Sequence, residues 1–95
     1  MIDPGIGFGK TKDHNLEIIA RLGELRSLGK PIVIGVSRKA FIGKITGRPV
    51  EDRLEGSIVA ATLAAIHGAD IVRVHDVGPT VRSLAVAHAI IERMR

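Results

Sequence analysis

Cysteine, tryptophan and tyrosine are all missing from this chain of 95 residues. Without cysteine there is no disulfide scaffold, no cysteine-based zinc centre and no thiol nucleophile. A small secreted domain generally needs such staples, so a reducing, cytoplasmic home is the expectation. Aromatic residues make up 2% of the chain, with Phe8 and Phe41 its two rings. So few rings leave little to stack on nucleobases, which argues against a single-strand nucleic-acid binder. Long apolar runs are absent as well. No stretch approaches the ~18 residues that a membrane helix requires. The opening MIDPGIGFGK has no basic segment followed by an apolar one, so no signal peptide is expected.

What is present is globular in character: 45% hydrophobic residues, 25% charged residues and a mean hydropathy of +0.23. At 10.1 kDa the chain has room for one small domain with a marginal core. Its net charge of +4 is spread evenly along the sequence rather than gathered in one run. An even spread fits a small anionic ligand better than a phosphate polymer.

Three strand-then-helix segments follow one another. The first is a strand stump, Met1-Ile2-Asp3, then a loop PGIGFGKTKDH and a helix over Asn15–Leu28, capped by Asp13 or Asn15. The second is a β-branched run over Pro31–Val36, apolar on both faces like a parallel strand covered on each side. Ser37-Arg38-Lys39 and a short loop lead from it into a helix over Glu51–His67. That helix is apolar around its circumference from Ile58 to Ile66, so substantial burial is expected. The third unit starts with a strand over Asp70–Val77, in which alternation puts Arg73 and His75 on one face and Val72 and Val74 on the other. Its helix starts at Gly78-Pro79-Thr80 and runs to about Arg93. The strand ends near Asp3, Ser37 and His75 recur at roughly 35 residues, the length of a βα repeat. The fold class expected is therefore α/β, with three successive βα units and parallel strands. Open sheet edges and helix faces made for packing point to self-association.

Ligands of parallel α/β folds meet the carboxy ends of the strands. Here those ends carry Asp3, Ser37-Arg38-Lys39 and Arg73-Val74-His75-Asp76. A carboxylate, several cations and an imidazole in one place outline a site for an anion or a polar heterocycle. Each residue also has a plainer role open to it. Asp3 could simply begin an Asp-Pro-Gly turn. Lys39 could be a solvated helix-end charge, and Arg73 and His75 could pair with Asp70 or Asp76. His14, His67 and His88 fit surface or packing roles, and Arg48, Arg53, Arg82, Arg93 and Arg95 read as ordinary surface charge. Gly9-Lys10-Thr11 is a decoy: a phosphate-binding P-loop needs glycine where Pro4 stands, and Gly5, Gly7 and Gly9 do not make the dinucleotide fingerprint. The glycines instead mark a small-residue loop with Phe8 at its tip.

DPGIGFGKT, GVSRKAFIG and IVRVHDV, in this order and spacing, resemble three successive motifs of the dihydropteroate synthase family of pterin-binding enzymes. RLEGSIVAATLAAIHGA between them is similar to the family too, so the resemblance covers essentially the whole chain. Methyltetrahydrofolate methyltransferases share the barrel, but SRK and RVHDV favour the synthase. The resemblance implies a (β/α)8 TIM barrel, with residues 1–95 a single partial domain holding its last three βα units. The implied reaction joins 6-hydroxymethyl-7,8-dihydropterin pyrophosphate to p-aminobenzoate, giving 7,8-dihydropteroate and pyrophosphate in folate biosynthesis. By the same resemblance, Asp3 takes the amino and ring-nitrogen edge of the pterin, a task suited to two side-by-side acceptors. Lys39 reaches the pterin carbonyl and shapes the aminobenzoate pocket. Arg73 packs on the pterin plane and, with His75, binds pyrophosphate. Gly35 lets the pterin approach the strand, and Phe8 and Ser37 line the aminobenzoate side. Lys39, Arg73 and His75 are thus the catalytic candidates.

The family's displacement has carbocation character at the pterin methylene, so departing pyrophosphate needs stabilisation by cations and magnesium. No metal ligand is expected in these residues; the protein ligand of Mg2+ lies outside them. The aminobenzoate carboxylate is expected near the start of the helix after Lys39. Ala40 stands there in place of a serine common among relatives. The resemblance further implies homodimers built from helices near the carboxy terminus. Alternatives to an enzyme segment are a non-catalytic pterin- or anion-binding half-barrel, or a methyltransferase relative. Nucleic acid and membrane are not expected partners. Added DNA or RNA should leave the chain's mobility unchanged, and a salt-dependent shift would overturn that expectation.

Overall fold

A computed structural model describes residues 2–7 and 11–94. The elements are α1 (Lys12–Ala20), α2 (Leu22–Arg26), β1 (Val33–Gly35), α3 (Ala40–Thr46), α4 (Leu54–His67), β2 (Ile71–Arg73) and α5 (Val77–Met94), with a 3-10 turn at Val50–Asp52. The α/β class with parallel strands is as expected. β1 and β2 pair in parallel, Val33 opposite Ile71, Ile34 opposite Val72 and Gly35 opposite Arg73. Three full strands do not appear among the described residues. The first unit contributes one isolated parallel bridge, Ile2 to Ile32, closed by Ile2 N–H to the Pro31 carbonyl and Val33 N–H to the Ile2 carbonyl. The strands are also shorter than the β-branched runs that contain them, because neighbours exist to pair with only over these residues.

The sheet is covered on one face only. Ile32, Ile34 and Val36 are fully buried and meet Leu22, Ala61 and Ala64 from the helices, with Val72 and Val74 packed alongside. The opposite face carries Val33, Gly35, Ile71 and Arg73, and Ile71 is 46% exposed. Coverage on both sides of β1, which its sequence suggests, is thus not what the fold provides. The chain as a whole exposes 6058 Å², against about 5,300 Å² for a compact monomer of its mass.

The first helix differs from the expectation in both its start and its course. Thr11, not Asp13 or Asn15, is the N-cap, its Oγ1 accepting from the His14 N–H at 3.1 Å. The helix then breaks at Arg21 (φ −111°, ψ 21°), next to Gly23, whose missing side chain makes it a poor helix former. The break redirects α2 so that Leu22 is fully buried and Arg26 reaches the Gly68 carbonyl at 2.9 Å. Across it, Arg21 bonds Glu17 at 2.6 Å and Glu24 at 3.2 Å, first Glu17 and then Glu24 raising its pKa further.

α4 is half buried rather than enclosed. Its small residues Ser57, Ala60, Ala61 and Ala64 face the core and allow close packing against β2 and α1. Val59, Leu63 and Ile66 point away. An apolar circumference says that a helix can be buried on every side, but the described elements cover only the alanine side. Val59 and Leu63 line an apolar groove of about 490 Å³ with Leu16, Ile19, Phe41 and Ile45. Val77, Val81, Val86, Ile90 and Met94 of α5 are exposed as well.

Ile34 sits at the centre of the buried face. Ile34→Ala should cost about 2–5 kcal/mol, a deleted side chain plus its cavity. Against a total of about 5–15 kcal/mol, that moves the urea midpoint sharply. A loss under ~1 kcal/mol would show that the helices do not pack on β1 as described.

Candidate functional site

Parallel pairing brings the carboxy ends of all three segments to one side, and the polar residues there meet. The central contact crosses Gly35. A Cβ at this position would lie 2.8 Å from Arg73 Nη2 and 3.3 Å from its Cζ. The bare glycine therefore lets the Arg73 guanidinium lie flat over β1 and extend to Asp3, Nη2 to Oδ2 at 3.5 Å. Asp3 keeps its turn role too, because Oδ1 accepts the Gly5 N–H at 2.9 Å. One carboxylate thus shapes the loop with one oxygen and faces a cation with the other.

Ser37, at the end of β1, is buried, and its Oγ accepts the His75 backbone N–H at 3.3 Å and lies 3.0 Å from His75 Nδ1. When the Ser37 hydroxyl donates to Nδ1, the imidazole carries its proton on Nε2 and offers that N–H outward. Lys39 is half buried, and its Nζ donates to the Ile6 carbonyl at 3.0 Å. Its stem passes Gly7 (φ +88°), where a Cβ would stand 3.1 Å from Lys39 Cδ. Beside it a pocket of about 130 Å³ is lined by Gly7, Lys12, Asn15, Lys39, Ala40 and Lys44. Three lysines among the residues lining one small pocket favour a carboxylate or phosphate occupant.

Asp3, Gly35, Ser37, Lys39, Arg73 and His75 therefore gather at one end of the sheet. Phe8 lies outside the described residues. The plainer pairings for Arg73 and His75 are not the ones formed. Asp70 accepts the Ile32 N–H at 2.8 Å and faces Arg26 at 3.5 Å, at the other end of the strands. Asp76 instead takes Arg38 in a bidentate pair, Nη2 to Oδ1 at 2.9 Å and Nε to Oδ2 at 3.3 Å.

Three residues have supporting roles other than those expected, Asn15 as a cap, Arg38 as a strand-end cation and Arg53 as surface charge. Asn15 is buried, and its Oδ1 accepts the Gly7 N–H at 2.9 Å, which pins the loop after Asp3. A polar residue in helical phase with Ile19 and Leu22 was the available signal. Arg53, read above as surface charge, is half buried and donates to the Arg38 carbonyl at 3.1 Å and the Arg48 carbonyl at 3.1 Å. Glycine at 43 makes room for it, since a Cβ there would collide with the Arg53 guanidinium. Arg38 adopts φ +56°, the left-handed region, in order to turn the chain from β1 toward α3. Locally Arg38 is marked only as a strand-end cation, and nothing marks Arg53. His88 has a surface role, paired with Glu92 at 3.1 Å.

The strand ends of this α/β chain thus bring a carboxylate, a guanidinium, an ammonium and an imidazole to one side of the sheet. The chain belongs to the pterin binding enzyme family, whose model matches residues 1–75. It is 44% identical over 89 residues to the dihydropteroate synthase of Escherichia coli K12, covering 94% of this chain and 32% of that protein. To the Synechocystis dihydropteroate synthase it is 45% identical, with 95% and 32% covered. The crystal structure of Yersinia pestis dihydropteroate synthase superposes with a TM-score of 0.90 at 41% identity, over 95% of this chain and 42% of that one. The Stenotrophomonas maltophilia dihydropteroate synthase, solved with imidazole in its active site, gives 0.92 at 44% identity over 94% and 34%. A further Yersinia pestis structure contains a pterine-sulfa conjugate. The chain spans about a third of the length of the curated relatives it matches.

Gly35→Ala should push the Arg73 guanidinium off Asp3 and leave the backbone in place. The Arg73 Nε–H signal in an NMR spectrum is expected to move toward its unstructured position, with stability changed by less than ~1 kcal/mol. A larger loss would mean that β1, not Arg73, has to yield.

Proposed function

We propose that residues 1–95 form a single partial domain, the last three βα units of a (β/α)8 pterin-binding barrel, and that this segment serves a dihydropteroate synthase. The reaction is the condensation of 6-hydroxymethyl-7,8-dihydropterin pyrophosphate with p-aminobenzoate, in the cytoplasm. The observation that carries the reading is Arg73 lying across Gly35 onto Asp3, with His75 on Ser37 and Lys39 on Ile6 at the same end of the sheet. The relatives' shared name and the pterine-sulfa conjugate held by one of them support it.

In this reading a pterin's amino and ring N–H edge, which has the donor pattern of a guanidinium, replaces Arg73 on Asp3 Oδ2. Arg73 then turns its donors to the pyrophosphate, joined by His75 Nε2–H, while the Lys39 ammonium reaches the pterin carbonyl and the aminobenzoate pocket. The methylene–oxygen bond breaks as the amine of p-aminobenzoate forms the new carbon–nitrogen bond, the bond pair leaves with pyrophosphate, and the amine's proton passes to solvent water. Arg73 and His75 act on the charge that accumulates on the leaving pyrophosphate, where fixed donors count most, and Lys39 acts from the pterin side. The lysine-lined pocket beside Ala40 suits the aminobenzoate carboxylate, with ammonium groups doing the work of a missing hydroxyl.

Magnesium does not find a cage here. Asp3 and Asp76 face arginines, and no group of three or more His, Asp or Glu is arranged for a metal among the described residues. No step is therefore assigned to it in this chain. Self-association through the helices near the carboxy terminus fits the exposed Val59 and Leu63 of α4 and Val81, Val86 and Ile90 of α5.

Titration of the chain with inorganic pyrophosphate should show saturable binding that Arg73→Ala weakens at least ~10-fold, about 1.4 kcal/mol. With both substrates and magnesium added, the chain alone should form no dihydropteroate. Turnover by the isolated chain would overturn the partial-domain reading, and absence of pyrophosphate binding would overturn the assignment of Arg73 and His75.

A further inference from the structure

Behind the ligand-facing residues lies a second charged contact between the same two strand ends. Arg38 follows Ser37 and precedes Lys39; Asp76 follows His75. The two meet through a bidentate pair, 2.9 and 3.3 Å. Three further bonds hold Arg38 and its partner. The Arg38 N–H donates to Ser57 Oγ at 2.8 Å, its carbonyl accepts from Arg53 Nη1 at 3.1 Å, and the Asp76 carbonyl accepts from Thr80 Oγ1 at 2.7 Å. A non-glycine residue at φ +56° is held there by its surroundings, and here the backbone N–H and carbonyl of Arg38, with its Nε and Nη2, are engaged in holding it. The left-handed turn is what sends Ser37 toward His75 while Lys39 swings toward Ile6.

We propose that Arg38 and Asp76 are positioning residues that set His75 for pyrophosphate and Lys39 for the pterin side, an inference that rests on the functional reading above. A bidentate arginine–carboxylate pair fixes orientation as well as distance. Side chains of 40% and 25% exposure keep it clear of full solvent screening. Arg38 and Asp76 hold the backbone on which Lys39 and His75 stand, so that the imidazole meets Ser37 in one orientation before any ligand arrives.

The test uses the purified chain, with the His75 ring resonances assigned by comparison with His75→Gln. Asp76→Asn and Arg38→Gln should each shift or broaden those resonances in the absence of ligand and weaken inorganic pyrophosphate binding about 10-fold. The reversed pair, Arg38→Asp with Asp76→Arg, should restore both. Arg26→Gln, which breaks the ion pair at the opposite end of the strands, serves as the control for simple destabilisation. The proposal is overturned if the His75 resonances stay in place in both variants, or if Arg26→Gln moves them equally. Should the unaltered chain bind no pyrophosphate, the functional reading fails, while the ligand-free ring resonances still decide whether Arg38 and Asp76 position His75.

Discussion

Parallel pairing of β1 with β2, with Gly35 standing opposite Arg73, is the constraint from which the rest of the site follows. Because the strands run the same way, all chemistry carried at their carboxy ends arrives on one side. Because the residue opposite Arg73 has no side chain, the guanidinium can cross a strand rather than leave it. A register shifted by one residue would set Arg73 beside Ile34 or Val36 and turn it into the core. Burial of Ile32, Ile34 and Val36 on the other face is what forbids that slip.

Charge is arranged at both ends of this small sheet, to different effect. At the amino ends, Asp70 takes the Ile32 N–H and faces Arg26, which itself bonds the end of α4. These contacts join helix to strand. At the carboxy ends, Asp3 with Arg73 and Asp76 with Arg38 join strand to strand. All of these side chains are at least a quarter exposed, so each pair adds modestly to stability. Their value lies in direction: they decide where cations and an imidazole point.

The candidate site was legible because it obeys a short rule, that polar residues end β-branched runs at a βα spacing. Asp3, Ser37, Arg73 and His75 all satisfy it, and the alternation of Arg73 and His75 against Val72 and Val74 carries into the structure. What stayed hidden depends on distance along the chain. Arg38 meets a residue 38 positions away, and Arg53 one 15 positions away, so neither differs locally from a solvated arginine. Thr11 lost to Asp13 and Asn15 as the expected cap because all three are good caps. Packing decided it, by drawing Asn15 inward to hold Gly7. The open face of α4 was illegible for another reason: composition describes the helix, and burial also depends on what lies beside it.

Val59, Leu63 and Ile66 of α4, with Val77, Val81, Val86, Ile90 and Met94 of α5, are already wet in the folded chain. Unfolding therefore adds less apolar hydration than it does in a fully enclosed domain. The heat-capacity increment of this chain should fall below the ~12–15 cal/mol/K per residue of ordinary globular proteins. Its stability curve is correspondingly flat, and its denaturant dependence shallow. Covering those side chains would steepen both, so the breadth of the thermal transition reports how far the helices have found neighbours.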